Sequence, residues 1–277
     1  MRSWQFISVM ATRFCFKAGA ICVVMLLSCS RSDGKRNQKG EDHDTSNVTR
    51  EQGAITRGDS TVNALSLVFT GDQFAEGGWH ILDVLERNGV KGSFFFTGNF
   101  YRNPAFGEMI RALKSRGHYL GPHSDRHLLY CDWNNRDSLL VSREEFVKDI
   151  EDNLSEMTRF DIDRQSAQIF LPPFEWYNDS ISEWSSGIGL QLVNYTPGTL
   201  SHADYTIPGM SGYRGSNDII ESIKSYPDNF NGFILLSHIG AGPDRDDKFY
   251  IYLEELIRWI KSEGYTICRI DSLPGIR

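Results

Sequence analysis

The sequence predicts an α/β protein closed into a (β/α) barrel, and three observations carry that prediction. From Leu65 onward, short apolar runs alternate with longer amphipathic stretches. Several runs, among them Ser93-Phe94-Phe95-Phe96 and Phe233-Ile234-Leu235-Leu236, are apolar without a break, as in strands covered on both faces. Polar residues collect where the runs end, which is where a parallel barrel carries its working loops. Regular alternation implies parallel strands with right-handed crossovers. An open doubly wound sheet would also alternate, but the punctuation at strand end after strand end suits a barrel better.

The candidate strands, in order, are Leu65–Thr70, Gly92–Gly98, His118–His123, Gln168–Pro172, Leu190–Tyr195, Gly232–His238 and Gly264–Ile270. Helical periodicity falls between them, at Trp79–Asn88, Pro104–Arg116, Ser142–Thr158, Asp179–Gly187, Ser216–Tyr226 and Phe249–Ser262. Ser142 followed by Glu145 opens the third helix at capping-box spacing. No internal repeat and no second domain boundary interrupts residues 61–277, which are expected to form one barrel domain.

The N-terminus reads as an address. Met1–Lys17 is mildly basic, Ala18–Leu27 is apolar, and the stretch closes on Leu26-Leu27-Ser28-Cys29. This is the layout of a signal peptide over residues 1–28, and its end resembles the lipobox of bacterial lipoproteins. That likeness implies a lipid on Cys29, a membrane-anchored chain, and a periplasmic or cell-surface location. Residues 29–60 are rich in charged, Ser, Asn and Gly residues and poor in apolar ones. They are expected to form a flexible tether, because they cannot bury enough surface to offset chain entropy. Three of the five cysteines lie in the leader. Cys131 and Cys268 make no disulfide framework or zinc motif and are expected to be buried and structural.

Of the 277 residues, 40% are hydrophobic and 23% charged, with a net charge of −7. The leader carries Arg2, Arg13 and Lys17 and no acid, so the folded part is more acidic still. Such a surface excludes a general nucleic-acid backbone binder.

Three of only seven histidines, His123, His127 and His238, fall at strand ends. His123 and His127 are four apart, and on one helical turn two such rings can share a divalent cation. Asp72, after the first strand, is the carboxylate expected to complete the set, leaving positions for water and substrate. Zinc suits these donors, and cobalt, nickel or manganese would also fit. Ligand atoms are expected about 3–4 Å apart in one coordination sphere. The mixed aromatic and polar run Phe174-Glu175-Trp176-Tyr177-Asn178 suits sugar stacking, and Trp176, Tyr177 and Asn194 are candidate substrate-binding residues.

Together these motifs resemble the NodB-type polysaccharide deacetylases, carbohydrate esterase family 4, from about Leu65 to the C-terminus. His123-Ser124-Asp125-Arg126-His127 matches the family's His-[Ser/Thr]-x-x-His metal motif, and Leu235-Leu236-Ser237-His238 resembles its late Leu-x-His motif. The resemblance implies a distorted seven-stranded (β/α) barrel, one divalent metal on Asp72, His123 and His127, and removal of N- or O-acetyl groups from sugars. It makes His238 the general acid. The sequence departs from the family in two places. The family's Thr-Phe-Asp-Asp-Gly is here Val68-Phe69-Thr70-Gly71-Asp72, so its base position falls on Gly71 or Thr70. Leu171 or Phe170 replaces the arginine expected before Pro172-Pro173.

The base must then come from elsewhere. Glu175 is the first candidate, Glu76 the second, and Asp72 acting directly on water the third. Asp244, Asp246 or Asp247 is expected to support His238. The expected function is metal-dependent hydrolysis of acetyl groups on a poly- or oligosaccharide. The alternative is a glycan-binding lipoprotein on the same barrel without catalysis. An amidase acting on non-sugar substrates is a third reading.

Overall fold

Strand alternation in Ala64–Gly71 divides the interior into two cores. The computed structural model describes residues 47–276. In chain order it contains β1 (Thr49–Glu51), β2 (Ala54–Arg57), β3 (Ala64–Gly71), α1 (Gly78–Arg87), β4 (Ser93–Phe96), α2 (Gly98–Arg102), α3 (Gly107–Ser115) and β5 (Tyr119–Pro122). Then come α4 (Arg143–Thr158), β6 (Ile169–Phe170), α5 (Asp179–Gly187), β7 (Gln191–Leu192), α6 (Ser216–Lys224), β8 (Phe233–His238), α7 (Leu253–Ser262) and β9 (Thr266–Ile267). Because successive side chains point to opposite faces, Leu65, Leu67 and Phe69 of β3 join the core beneath the helices. Ala64 and Val68 join a second core inside the barrel, with Phe95, Ile169, Val193, Ile234 and Leu236.

The parallel order β5-β4-β3-β8 forms the main sheet, and β9 pairs with the start of β3. Leu65 faces both Phe233 of β8 and Ile267 of β9, so β9 shares the β3 edge that β4 uses further along. β6 and β7 form a separate parallel pair. Isolated backbone bonds join the sheets into a ring. Leu171 N donates to Pro122 O (3.4 Å) after β5, and Thr196 N donates to Ile234 O (3.0 Å) of β8. This is the distorted (β/α) barrel of the NodB type.

The helices follow their apolar spacing. α7 buries Leu253, Leu256, Ile257 and Ile260, an i, i+3, i+4, i+7 stripe. The predicted capping box at α4 is made in both directions, between Ser142 and Glu145. One helix was not anticipated: α2, capped by Thr97, whose hydroxyl accepts from Phe100 N. Cys131 is buried as expected, whereas Cys268 is only half-buried.

The structure corrects the tether's limit. Residues 47–60 are not free chain. β1 and β2 form an antiparallel hairpin turning at Gln52 and Gly53, both at positive φ (46° and 76°), as a tight hairpin turn requires. Ala54 and Ile55 are fully buried, and Ile55 O accepts from Asn194 N (2.9 Å). The signal peptide, Cys29 and the first part of the tether lie outside the described residues. Among those described, no helix is long and apolar enough to cross a membrane.

Candidate active site

The strand ends open into a cavity of about 450 Å³, and Thr70, Asp72, His123, His127, Glu175 and His238 line it. Every catalytic and metal-binding candidate of the first rank therefore shares one space.

Asp72 leaves β3 beside α2. Its Oδ1 accepts from Thr97 Oγ1 (2.7 Å) and Asn99 Nδ2 (3.1 Å). Asn99 in turn accepts from Arg102 (3.0 Å), whose guanidinium forks onto Asp125 (2.6 and 3.2 Å). The aspartate is thus held by a chain of polar groups that ends on its own side of the barrel.

His123 follows β5 and is 2% exposed. Its Nδ1 lies 2.7 Å from Leu171 O. A carbonyl only accepts, so Nδ1 carries the hydrogen and Nε2 keeps its lone pair. Burial and the neighbouring His127 hold the ring well below the usual histidine pKa, so it is neutral. His127 is also pushed down by burial, against the opposing pull of Asp72. The two rings meet at 5.2 Å between centroids. They do so without the expected helical turn: Ser124 and His127 both take positive φ (75° and 57°). The fully buried Asp149 of α4 shapes this loop, accepting from Asp125 N, Arg126 N and Tyr130 Oη.

For a divalent cation the donor chemistry fits, with two neutral imidazoles and a carboxylate on one cavity, one ring oriented by a backbone carbonyl. The expected convergence is not reached. Among the described residues, no three His, Cys, Asp or Glu side chains are close enough to hold one ion.

His238 ends β8. Its Nδ1 lies 2.6 Å from Asp204 Oδ1, and its backbone N donates to Asp204 Oδ2 (2.9 Å). Burial alone would lower its pKa, but the charge and hydrogen bond of Asp204 more than offset this and raise it. The supporting acid is therefore Asp204, not Asp244, Asp246 or Asp247. Asp247 instead accepts from Ser216 N. Nothing in the local sequence around Asp204 sets it apart from other loop acids.

Glu175 sits where Phe174 and Glu175 both take left-handed backbone angles (φ 59° and 53°). Burial pushes its carboxyl up to about 7, opposed by the charge of His238. Glu76 is fully engaged elsewhere. It accepts from Ala241 N, Gly242 N and Lys248 Nζ, so it fastens a loop and is not available as a base.

The two positions left open for the family's missing base are now distinguished. A Cβ at Gly71 would come within 2.7 Å of Ile239 and 2.9 Å of Phe100. Both residues border the cavity, and of the two only Thr70 carries a side chain.

The substrate-binding candidates fare less well. Tyr177 is fully buried, with its hydroxyl on Glu51 O. Asn194 is 7% exposed and donates to Glu175 O (3.0 Å), so it positions the glutamate. Trp176 donates to Asp132 O and packs on Trp133 and Arg136, off the cavity. The apolar wall is instead built from Phe74, Phe174, Tyr205, Ile207 and Met210. Four of these five come from loops whose sequence carries no periodic signal.

Comparison with known proteins agrees with this geometry. The polysaccharide deacetylase family profile matches residues 59–193. Over that span the chain matches the polysaccharide deacetylases. An uncharacterised 30.6 kDa protein of Geobacillus stearothermophilus is 25% identical, over 85% of this chain and 83% of the relative. The peptidoglycan-N-acetylmuramic acid deacetylase PdaA of Bacillus subtilis is 24% identical, over 75% of this chain and 71% of the relative. Among solved structures, a family 4 carbohydrate esterase pseudoenzyme from Bacillus anthracis superimposes with a TM-score of 0.64 at 16% identity, covering 81% of this chain and 69% of that one. A polysaccharide deacetylase fold thus surrounds a cavity that departs from the family pattern at the position of its base.

Proposed function

We propose that the protein hydrolyses acetyl groups from an acetylated glycan, using Glu175 as base and His238 as acid. The observation that carries this reading is a carboxyl and an imidazole on one cavity, both holding their protons more tightly than usual. Glu175 is raised to about 7, and His238 is raised by Asp204. Titratable groups tuned toward neutrality in a shared cleft mark acid–base chemistry. Glu175 takes a proton from the attacking water through its carboxylate. His238, held by Asp204 at Nδ1, delivers a proton from Nε2 to the leaving sugar oxygen or nitrogen. Asn194 fixes the Glu175 backbone, and Phe74, Phe174 and Tyr205 exclude bulk water from the reacting group. Were Asp72, His123 and His127 drawn together on a divalent cation, it would polarise the acyl oxygen and make water more acidic.

A second reading keeps the groove without catalysis. The loss of the family's base, at Thr70 or Gly71, and the likeness to a pseudoenzyme favour it; the retained His238–Asp204 pair does not, because binding needs no general acid. Acetate release from N-acetylated peptidoglycan, chitin oligomers and O-acetylated xylan, with and without added metal, decides. Release that falls by about 10²–10⁴ in His238→Ala with metal content unchanged supports the enzyme. Glycan binding without release supports the second reading. We also propose that the mature chain starts at a lipidated Cys29; an unlipidated N-terminus found elsewhere by mass spectrometry of membrane-extracted protein would refute it.

A further inference from the structure

We infer that the Thr70 hydroxyl is a ligand contact on the cavity floor, donating a hydrogen bond to the oxygen of a bound acyl or carboxylate group. Thr70 is 1% exposed, and its Oγ1 is buried with no hydrogen-bond partner. Among the described residues, Tyr101, His118, His202 and Asn231 also bury an unpartnered polar atom, but none of them lines the cavity. The other hydroxyls inside the barrel are used. Thr196 Oγ1 donates to Thr56 O and accepts from Ile234 N, and Ser93 Oγ accepts from Ile270 N. The backbone of Thr70 is committed as well, since its carbonyl accepts from Ile239 N (2.9 Å). Its strand neighbours in register are Phe95 and His238, so the hydroxyl stands beside the acid.

The chemistry of the cavity selects the partner. Asp72 and Glu175 supply acceptors in excess, while a ligand oxygen needs donors. Buried polar groups left unpaired are rare and are satisfied by whatever fills the space. Thr70, one of the two positions on which the family's base falls, supplies a donor, whereas a carboxylate there could not be approached by an acyl oxygen as an acceptor. That the ligand is an acyl group rests on the deacetylase reading; that the hydroxyl meets a ligand oxygen does not.

The experiment compares wild type, Thr70→Val and Thr70→Ser in the intact protein. Sodium acetate binding is measured by calorimetric titration, the thermal midpoint by scanning calorimetry, and acetate release from acetylated glycans in parallel. Thr70→Val is expected to weaken acetate binding about 5- to 20-fold, while Thr70→Ser stays within about twofold. The midpoint of Thr70→Val should not fall, because no bond within the protein is lost; a structural hydroxyl would lower it. Unchanged acetate affinity in Thr70→Val, weakening only in step with a lowered midpoint, or no acetate binding by the wild type overturns the inference. A wild type that binds acetate through Thr70 yet releases none from glycans sinks the deacetylase reading and leaves this contact standing.

Discussion

Phe174 and Glu175 hold backbone angles that residues with a Cβ seldom adopt, each costing on the order of 1–3 kcal/mol. Their neighbours enforce them: Asn194 holds the Glu175 carbonyl, and the Phe174 ring packs on His127 at 4.4 Å. The strain aims a carboxyl into an environment that keeps its proton to about pH 7. Glu175→Gln should reduce turnover by about two to four orders of magnitude and abolish the rise in rate between pH 6 and 8. Its effect on stability has the opposite sign. The folded carboxyl binds its proton more tightly than the unfolded one, so wild-type stability falls as pH rises from 4.5 to 7. Glu175→Gln should therefore be more stable than wild type at pH 8, by up to roughly 2–3 kcal/mol, as chemical denaturation would reveal. Asp204→Asn removes the group that raises His238. An acid works only while protonated, so the alkaline limb of the rate profile should move to lower pH; an unmoved limb would separate Asp204 from the acid. The same distinction between groups explains why the sequence was informative here. His123, His127, His238, Asp72 and Glu175 stand at strand ends, which order along the chain reveals. Asp204 reaches His238, and the aromatic wall the cavity, through loops, and loop paths leave no periodic trace.

At the scale of elements, the hairpin of β1 and β2 is the clearest departure from the sequence reading. Only Ala54 and Ile55 carry its apolar contribution, too few to raise local hydrophobicity in a polar stretch. Ile55 pairs with Val193, more than a hundred residues away, and such pairing is invisible locally. The long apolar strands β3 and β8, whose burial shows in their own composition, were legible almost to the residue. So was α5, where Asn178 caps the helix. Shortening the chain to start at Val62 should therefore lower stability markedly compared with a start at Asn47. Ile55→Ala alone should cost about 2–4 kcal/mol, measured by urea unfolding. A chain starting at Val62 with full stability would return these residues to the tether.

The described residues form a ring of short sheets, and protons load it unevenly. His118 is buried beside Lys91 and Arg116, and its Nδ1 accepts from Gly92 N (3.1 Å), which requires a neutral ring. Burial and those cations lower its pKa to about 4. The unfolded chain then binds a proton that the fold refuses, so stability falls as pH drops from 6.5 toward 4, by roughly 3 kcal/mol from this residue. His118→Asn keeps an acceptor for Gly92 and should flatten the acid side of the stability curve; an unchanged slope would assign the loss to other groups. The backbone of one residue ties this global behaviour to the cavity. The amide of Leu171 closes the ring onto Pro122, at 3.4 Å, and its carbonyl orients His123. The seam of the barrel and the tautomer of a cavity histidine are thus one mechanical object. Whenever that seam breathes, His123 loses its reference direction, so solvent hydrogen exchange at the Leu171 amide becomes a direct readout of how often the cavity is disarmed, and any occupant that fixes the ring should slow that clock.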